Sequence, residues 1–247
     1  MPMSHRAFSR ALCALGAALL FSCALATAQE EGKDFRKVVP PQPTGNPGKI
    51  EVVEFFSYGC PHCAHLYPLL ESWRAKLPAD VVLRRVPVGF NRQAWINLQG
   101  AYYALEASGD LARLDGALFS AIHDKHEQLF DESSLADWVA KNGGNADKFA
   151  AAYVSYGINS QTVRADAMAE KFAIDTVPSM AVNGEYVAMG GETPGEEAYL
   201  HQLLVNTDKL IARVRSERAA ASSAAKPSAA KPAAAKPTAA KPTAADR

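Results

Sequence analysis

From Val52 to Leu70 the chain reads VVEFFSYGCPHCAHLYPLL. The run Ile50–Phe56, IEVVEFF, is β-branched and aromatic with apolar residues on both faces. That pattern predicts a central strand covered on both sides. Apolar residues at helical spacing follow, predicting a helix from about Cys60 to Lys76. At the joint stand Cys60 and Cys63, separated by Pro61 and His62. Such a pair can staple a fold, hold a metal or exchange electrons, and the rest of the sequence weighs these three.

Residues 1–28 carry Arg6 and Arg10 and no acid, then an apolar run from Ala11 to Ala26, then the small-x-small triplet Ala26-Thr27-Ala28. This predicts a secretory signal peptide cleaved after Ala28, the apolar run being short for a membrane span. The alternative is a lipid anchor on Cys23, after Leu20-Phe21-Ser22. Cleavage removes Cys13 and Cys23 and leaves one pair in an oxidising compartment, where structural disulfides are common. A bridge across two residues closes a very small loop and takes little entropy from the unfolded chain. As a staple it does little.

As metal ligands, Cys60, His62, Cys63 and His65 offer four donors in one short stretch. Structural zinc sites usually draw two pairs from separated segments, and there is no second cysteine pair. His123 and His126 lie three apart on a predicted helix without a matching cluster, and c-type haem attachment needs His where Ala64 stands. The sequence therefore assigns no metal.

Electron exchange fits the local physics. At a helix N-terminus the free backbone N–H groups and the dipole stabilise an anion. Cys60, nearest that end, is the expected thiolate nucleophile, with a pKa in the range of about 3.5–7.5 found in such settings. His62 adds a donor beside it, and Cys63, one turn inward, is the expected resolving thiol. Stabilising the Cys60 thiolate stabilises the reduced form and makes the disulfide a stronger oxidant, a bias that Pro61-His62 should favour.

Around this core, Gln29 to Lys49 is polar and proline-rich and reads as an extended lead-in. VVLRRVPV, Val81 to Val88, predicts a second strand whose Pro87 belongs at an edge or bend. From Asn91 to about Phe172 the stretches AWINLQGAYYALEAS, LARLDGALFSAIHDK, SSLADWVAKN and ADKFAAAYVS are helical in spacing, punctuated by Gly109, Gly143-Gly144 and Gly157. Asn183-Gly184 amid MAVNGEYVAMGG predicts a hairpin, and a closing helix fits Pro194 to about Arg215. The order β-α-β, helices, β-β-α predicts an α/β unit interrupted by a helical insert. Setting aside two basic residues in 1–28, and five basic and one acidic residue from Ala219 onward, leaves 19 basic against 25 acidic groups, net −6. A mildly acidic body argues against nucleic acid as a partner. Lys-Pro every five residues and little apolar bulk predict a disordered basic tail.

EFFSYGCPHC together with TVPSM resembles the thioredoxin superfamily, and within it the DsbA family of periplasmic disulfide-bond oxidases. The likeness spans roughly Lys33 to Val214. It implies a thioredoxin-like α/β fold with an inserted helical domain. The chain then divides into a signal peptide, 1–28; a first thioredoxin-like part, 29–90; the helical insert, 91–165; a second part, 166–215; and the Ala/Lys/Pro tail, 216–247. It implies that Val177-Pro178 is the cis-proline dipeptide that lies against the active-site sulfurs and pairs with substrate backbone; read alone, Pro178 is a strand-start proline. Pro68 matches the kinking proline of the active-site helix. Glu54 matches the buried acid that assists proton transfer to the resolving thiol; read alone, it is a strand-end acid reaching water. Arg85 falls near the family's partner base, where Arg instead of Lys removes a titratable member. Tyr58-Gly59 departs from bulkier residues in relatives, and the tail lies outside the family pattern.

The resemblance implies a redox-active Cys60–Cys63 disulfide given to unfolded, newly exported polypeptides with free thiols. It also implies reoxidation by a membrane quinone-linked partner of the DsbB type, with no diffusible cofactor. A same-fold reductase or isomerase is the alternative. Isomerases of this kind usually carry a separate dimerisation domain, none is visible before Cys60, and a monomer is expected. The remaining alternative is a peptide-binding module with incidental cysteines.

Overall fold

A computed structural model describes residues 29–224. The predicted signal peptide with Cys13 and Cys23, and residues 225–247 of the tail, lie outside the described residues. Strand β2 (Ile50–Phe56) is buried at every position, as its apolar faces predict. It pairs in parallel with β3 (Val81–Pro87) through the crossover helix α1 (Pro61–Arg74). On its other side it pairs antiparallel with β4 (Ser179–Val182), which forms a hairpin with β5 (Tyr186–Ala188). The five-stranded sheet runs β1 (Phe35–Lys37), β5, β4, β2, β3, so Pro87 ends an edge strand, where a missing N–H costs least. At the hairpin, Asn183 and Gly184 take φ of 56° and 69°, the left-handed conformation that makes this dipeptide a turn signal.

The outermost strand was not expected. β1 (Phe35–Lys37) lies within the predicted lead-in and pairs antiparallel with β5.

The sheet is covered on both faces. Ile50 and Val52 pack with Leu66 and Leu70 of α1 and with Leu200, Leu203 and Leu210 of α7 (Glu196–Ala224). Val53 and Phe55, on the opposite face by strand alternation, pack with Ala165, Ala169 and Phe172.

Between β3 and β4 stand α2 (Gln93–Ser108), α3 (Leu111–His123), α4 (Glu132–Lys141), α5 (Ala146–Tyr153) and α6 (Tyr156–Lys171). Their buried Leu, Phe and Trp form a core of their own around Leu98, Leu105, Leu118, Trp138 and Phe149. Two boundaries differ from expectation. The insert does not end at 165: α6 runs on to Lys171, because Ala165 and Ala169 sit against the sheet. Gly157 does not break a helix either; Ser155 caps α6, its side chain accepting from Ile158 N–H, and Gly157 lies in the first turn.

The tail does not begin at 216. Helix α7 continues to Ala224. The Tyr186 hydroxyl donates to Glu217 at 2.9 Å, and Arg218 donates to the Lys49 carbonyl and to Asn183 Oδ1 at 3.0 and 2.6 Å. Ala-rich sequence has high helix propensity and needs little else to propagate such an end.

Candidate active site

The buried apolar cluster of the helical unit also takes in Phe56, Tyr58, Cys60 and Cys63, so the cysteine pair sits where the sheet meets the helices. Cys60 is the N-cap of α1 with extended backbone (φ −97°, ψ 117°), and Pro61 follows in the first turn. Proline carries no N–H, so the first donors at this helix end come from His62 and Cys63. Both thiols are free and buried, Cys60 4% exposed and Cys63 not at all.

The two thiols are electrostatically unlike. The Cys63 thiol donates to the Cys60 sulfur; burial opposes the charge, but the backbone N–H groups of Cys63 and His62 and the His62 ring favour it. The Cys60 pKa falls to about 6. Cys63 is pushed well up, by burial first and then by its partner sulfur and the nearby Glu54. One sulfur is ready to be an anion and the other to hold a proton.

Opposite lies the loop before β4. The Val177–Pro178 peptide bond is cis, and Cys60 Sγ lies 3.3 Å from the Val177 carbonyl oxygen. A groove lined by His62, Thr176, Val177, Pro178, Glu196, Tyr199 and Leu200 runs away from this contact. Gly59, just before the motif, is required by close approach: a Cβ there would lie 2.5 Å from Trp95 Nε1.

Beneath Cys63 lies a buried charged network. Register pairs Glu54 of β2 with Arg85 of β3, and Arg85 Nε donates to Glu54 Oε2 at 2.5 Å. Arg85 Nη1 donates to Asp115 of α3, whose other oxygen accepts from the Tyr58 hydroxyl at 2.5 Å. The guanidinium lies 4.0 Å from the Phe56 ring centroid, with Tyr67, Tyr102 and Phe119 within about 6 Å, a cation–π cage. Burial raises the Glu54 pKa, and Arg85, which it shares with Asp115, only partly offsets this. Burial alone would lower the Arg85 pKa, but the two carboxylates outweigh it. Glu54 is fully buried with Oε1 unpartnered, so it does not reach water.

Three members were absent from the sequence reading: Asp115, the Tyr58 hydroxyl, and Glu196, whose Oε1 lies 2.6 Å from His62 Nδ1. Glu196 raises the His62 pKa through that hydrogen bond. Asp115 had left a trace, an acid on the apolar stripe Leu111, Leu114, Leu118, Phe119, Ile122 of α3. Glu196 had left none.

A dithiol at a helix N-terminus, with unequal thiols facing a cis-proline loop on this sheet, defines a thioredoxin-fold thiol–disulfide oxidoreductase. The profile of the DSBA-like thioredoxin domain matches residues 51–198. The thiol:disulfide interchange protein DsbA of Bordetella parapertussis is 37% identical over 211 residues, 84% of this chain and 100% of that protein. The Pseudomonas aeruginosa protein of the same name is 38% identical over 206 residues, 83% of this chain and 93% of that one. The crystal structure of Pseudomonas aeruginosa DsbA superposes with a TM-score of 0.71 at 36% identity, covering 80% of this chain and 98% of that one. The Xylella fastidiosa oxidoreductase DsbA gives 0.69 at 32%, over 76% and 98%. The chain belongs to the DsbA-like thioredoxin family.

Proposed function

We propose that this protein oxidises thiols of newly exported, unfolded polypeptides in the periplasm by donating the Cys60–Cys63 disulfide. The observation that carries the reading is the placement of Cys60 at a helix N-terminus, against the Val177-Pro178 loop, with the protonated-type thiol Cys63 behind it. A substrate thiolate attacks Cys60 Sγ, the Cys60–Cys63 bond breaks, and Cys63 leaves with the electron pair. Glu54, the buried acid beneath Cys63, assists transfer of the proton that its sulfur takes up. A second substrate thiolate then attacks the substrate sulfur of the mixed disulfide and displaces Cys60 as thiolate, a good leaving group because its pKa is low. The substrate loses two electrons and the pair gains them. Substrate backbone runs along the Val177-Pro178 loop and its apolar side chains enter the groove beside Tyr199 and Leu200.

Reoxidation reverses the flow through a membrane quinone-linked protein of the DsbB type, with no diffusible cofactor on this chain, which acts as a monomer after loss of residues 1–28. No helix among the described residues is long and apolar enough to cross a membrane.

The test is the equilibrium potential of the Cys60–Cys63 pair against glutathione, read by alkylation. A value near about −120 mV, the oxidising end of the thioredoxin-fold scale, supports donation; one near about −270 mV assigns the protein to reduction instead.

A further inference from the structure

On the solvent side of the active-site helix, two histidines converge on one carboxylate. His62 and His65 stand three apart on α1, on one face. Their Nδ1 atoms lie 2.6 and 2.7 Å from the same oxygen, Oε1 of Glu196, which arrives from the first turn of α7. The donor atoms of all three side chains lie within 4.8 Å of one another. The sequence reading set metal aside for want of a separated ligand to join this helix; the fold brings one from 131 residues further along the chain.

We propose that His62, His65 and Glu196 form a binding site for a zinc-type divalent transition-metal ion. Two imidazole nitrogens and one carboxylate oxygen are a donor set zinc uses with water in a fourth position. Imidazole donors favour such ions over magnesium or calcium, which take all-oxygen shells. With no metal, each Nδ1–H donates to Oε1. In the neutral tautomer protonated at Nε2, the same Nδ1 atoms present lone pairs toward the position that Oε1 holds, so loading needs a change of proton position and a shift of the exposed Glu196 carboxylate that makes room for the ion. Two histidines competing for one oxygen is more than orienting His62 requires. The side chains are 59%, 62% and 38% exposed, so an ion enters freely. A bound ion joins the N-terminus of α7 to the active-site helix and sits at the mouth of the groove lined by His62, Pro178 and Tyr199, where it slows thiol exchange. That consequence rests on the proposed function; the binding does not.

The experiment uses the mature, oxidised protein, because its disulfide removes both thiols as competing ligands. Zinc chloride is titrated in a non-chelating buffer by calorimetry and equilibrium dialysis. One equivalent is expected, weakened about tenfold or more by His65→Ala and by Glu196→Gln, with His126→Ala unchanged and melting curves of all variants superimposable. Failure of the oxidised protein to bind zinc, or equal binding by His65→Ala and Glu196→Gln, overturns the site. Zinc slows exchange by the wild type and leaves His65→Ala unslowed; if binding is seen without slowing, the site stands and its link to thiol exchange falls.

Discussion

Replacing Arg85 by Met removes the only cation from the network under Cys63 while leaving an aliphatic chain among Phe56, Tyr67, Tyr102 and Phe119. The Arg85 side chain is 5% exposed, Glu54 0% and Asp115 11%, so water cannot take its place. Breaking a buried ion pair by deleting one partner costs about 3–5 kcal/mol. In a domain of this size each kcal/mol moves Tm by about 2–4 °C, so the expected fall is roughly 6–20 °C near neutral pH. The pH dependence separates charge from packing. Without Arg85, nothing offsets burial at Glu54, whose folded pKa is already raised. A carboxyl whose folded pKa lies above its unfolded value is favourable below the unfolded pKa, and that contribution is lost as pH rises through the folded one. The Met variant should therefore recover much of its deficit between about pH 7.5 and pH 4.5. Urea unfolding of oxidised wild type and variant at both pH values gives the answer, the disulfide keeping thiol ionisation out of the comparison. A deficit under about 1 kcal/mol, or one equal at both pH values, refutes the network as a charge-balanced unit.

Three further outcomes follow from the same geometry. With a chelator present, the ultraviolet absorbance of the thiolate should titrate Cys60 with a midpoint of about 6. Because this folded pKa lies below the unfolded one of about 8.5, the reduced protein should lose stability relative to Cys60→Ser as pH falls through that window; a midpoint above about 8 sinks the reading. Tyr58→Phe deletes the donor to Asp115 and should cost about 1.5–3 kcal/mol in urea unfolding, as for a hydrogen bond to a charged group, with an unchanged midpoint counting against it. Ending the chain after Arg215 removes the Glu217 and Arg218 contacts to Tyr186, Lys49 and Asn183. It should cost about 1–3 kcal/mol in urea unfolding, an unchanged midpoint counting against those contacts.

What sequence reading recovers and what it misses divides along a physical line. The strand, the cysteine pair and the helix after it are contiguous, so local pattern reports them, and Asn183-Gly184 reports its turn because left-handed backbone restricts residue choice. Glu54 and Arg85 are non-local, yet partly legible: each interrupts an apolar strand, and a buried acid and base on neighbouring parallel strands need one another. Asp115 and Glu196 belong to a different class. Their positions depend on how α3 docks beside the sheet and on where α7 begins, which are results of packing many side chains, so local pattern does not name the partner that either residue meets. β1 and the last turns of α7 fail for a related reason. Phe35-Arg36-Lys37 is too short and polar to read as a strand until β5 offers its edge, and the Ala- and Ser-rich end of α7 buries nothing that would mark it. Residues that complete a site from a distance are therefore best sought among acids placed where a helix ought to be apolar, as Asp115 is, and at the first turns of helices that end near a local motif, as Glu196 does.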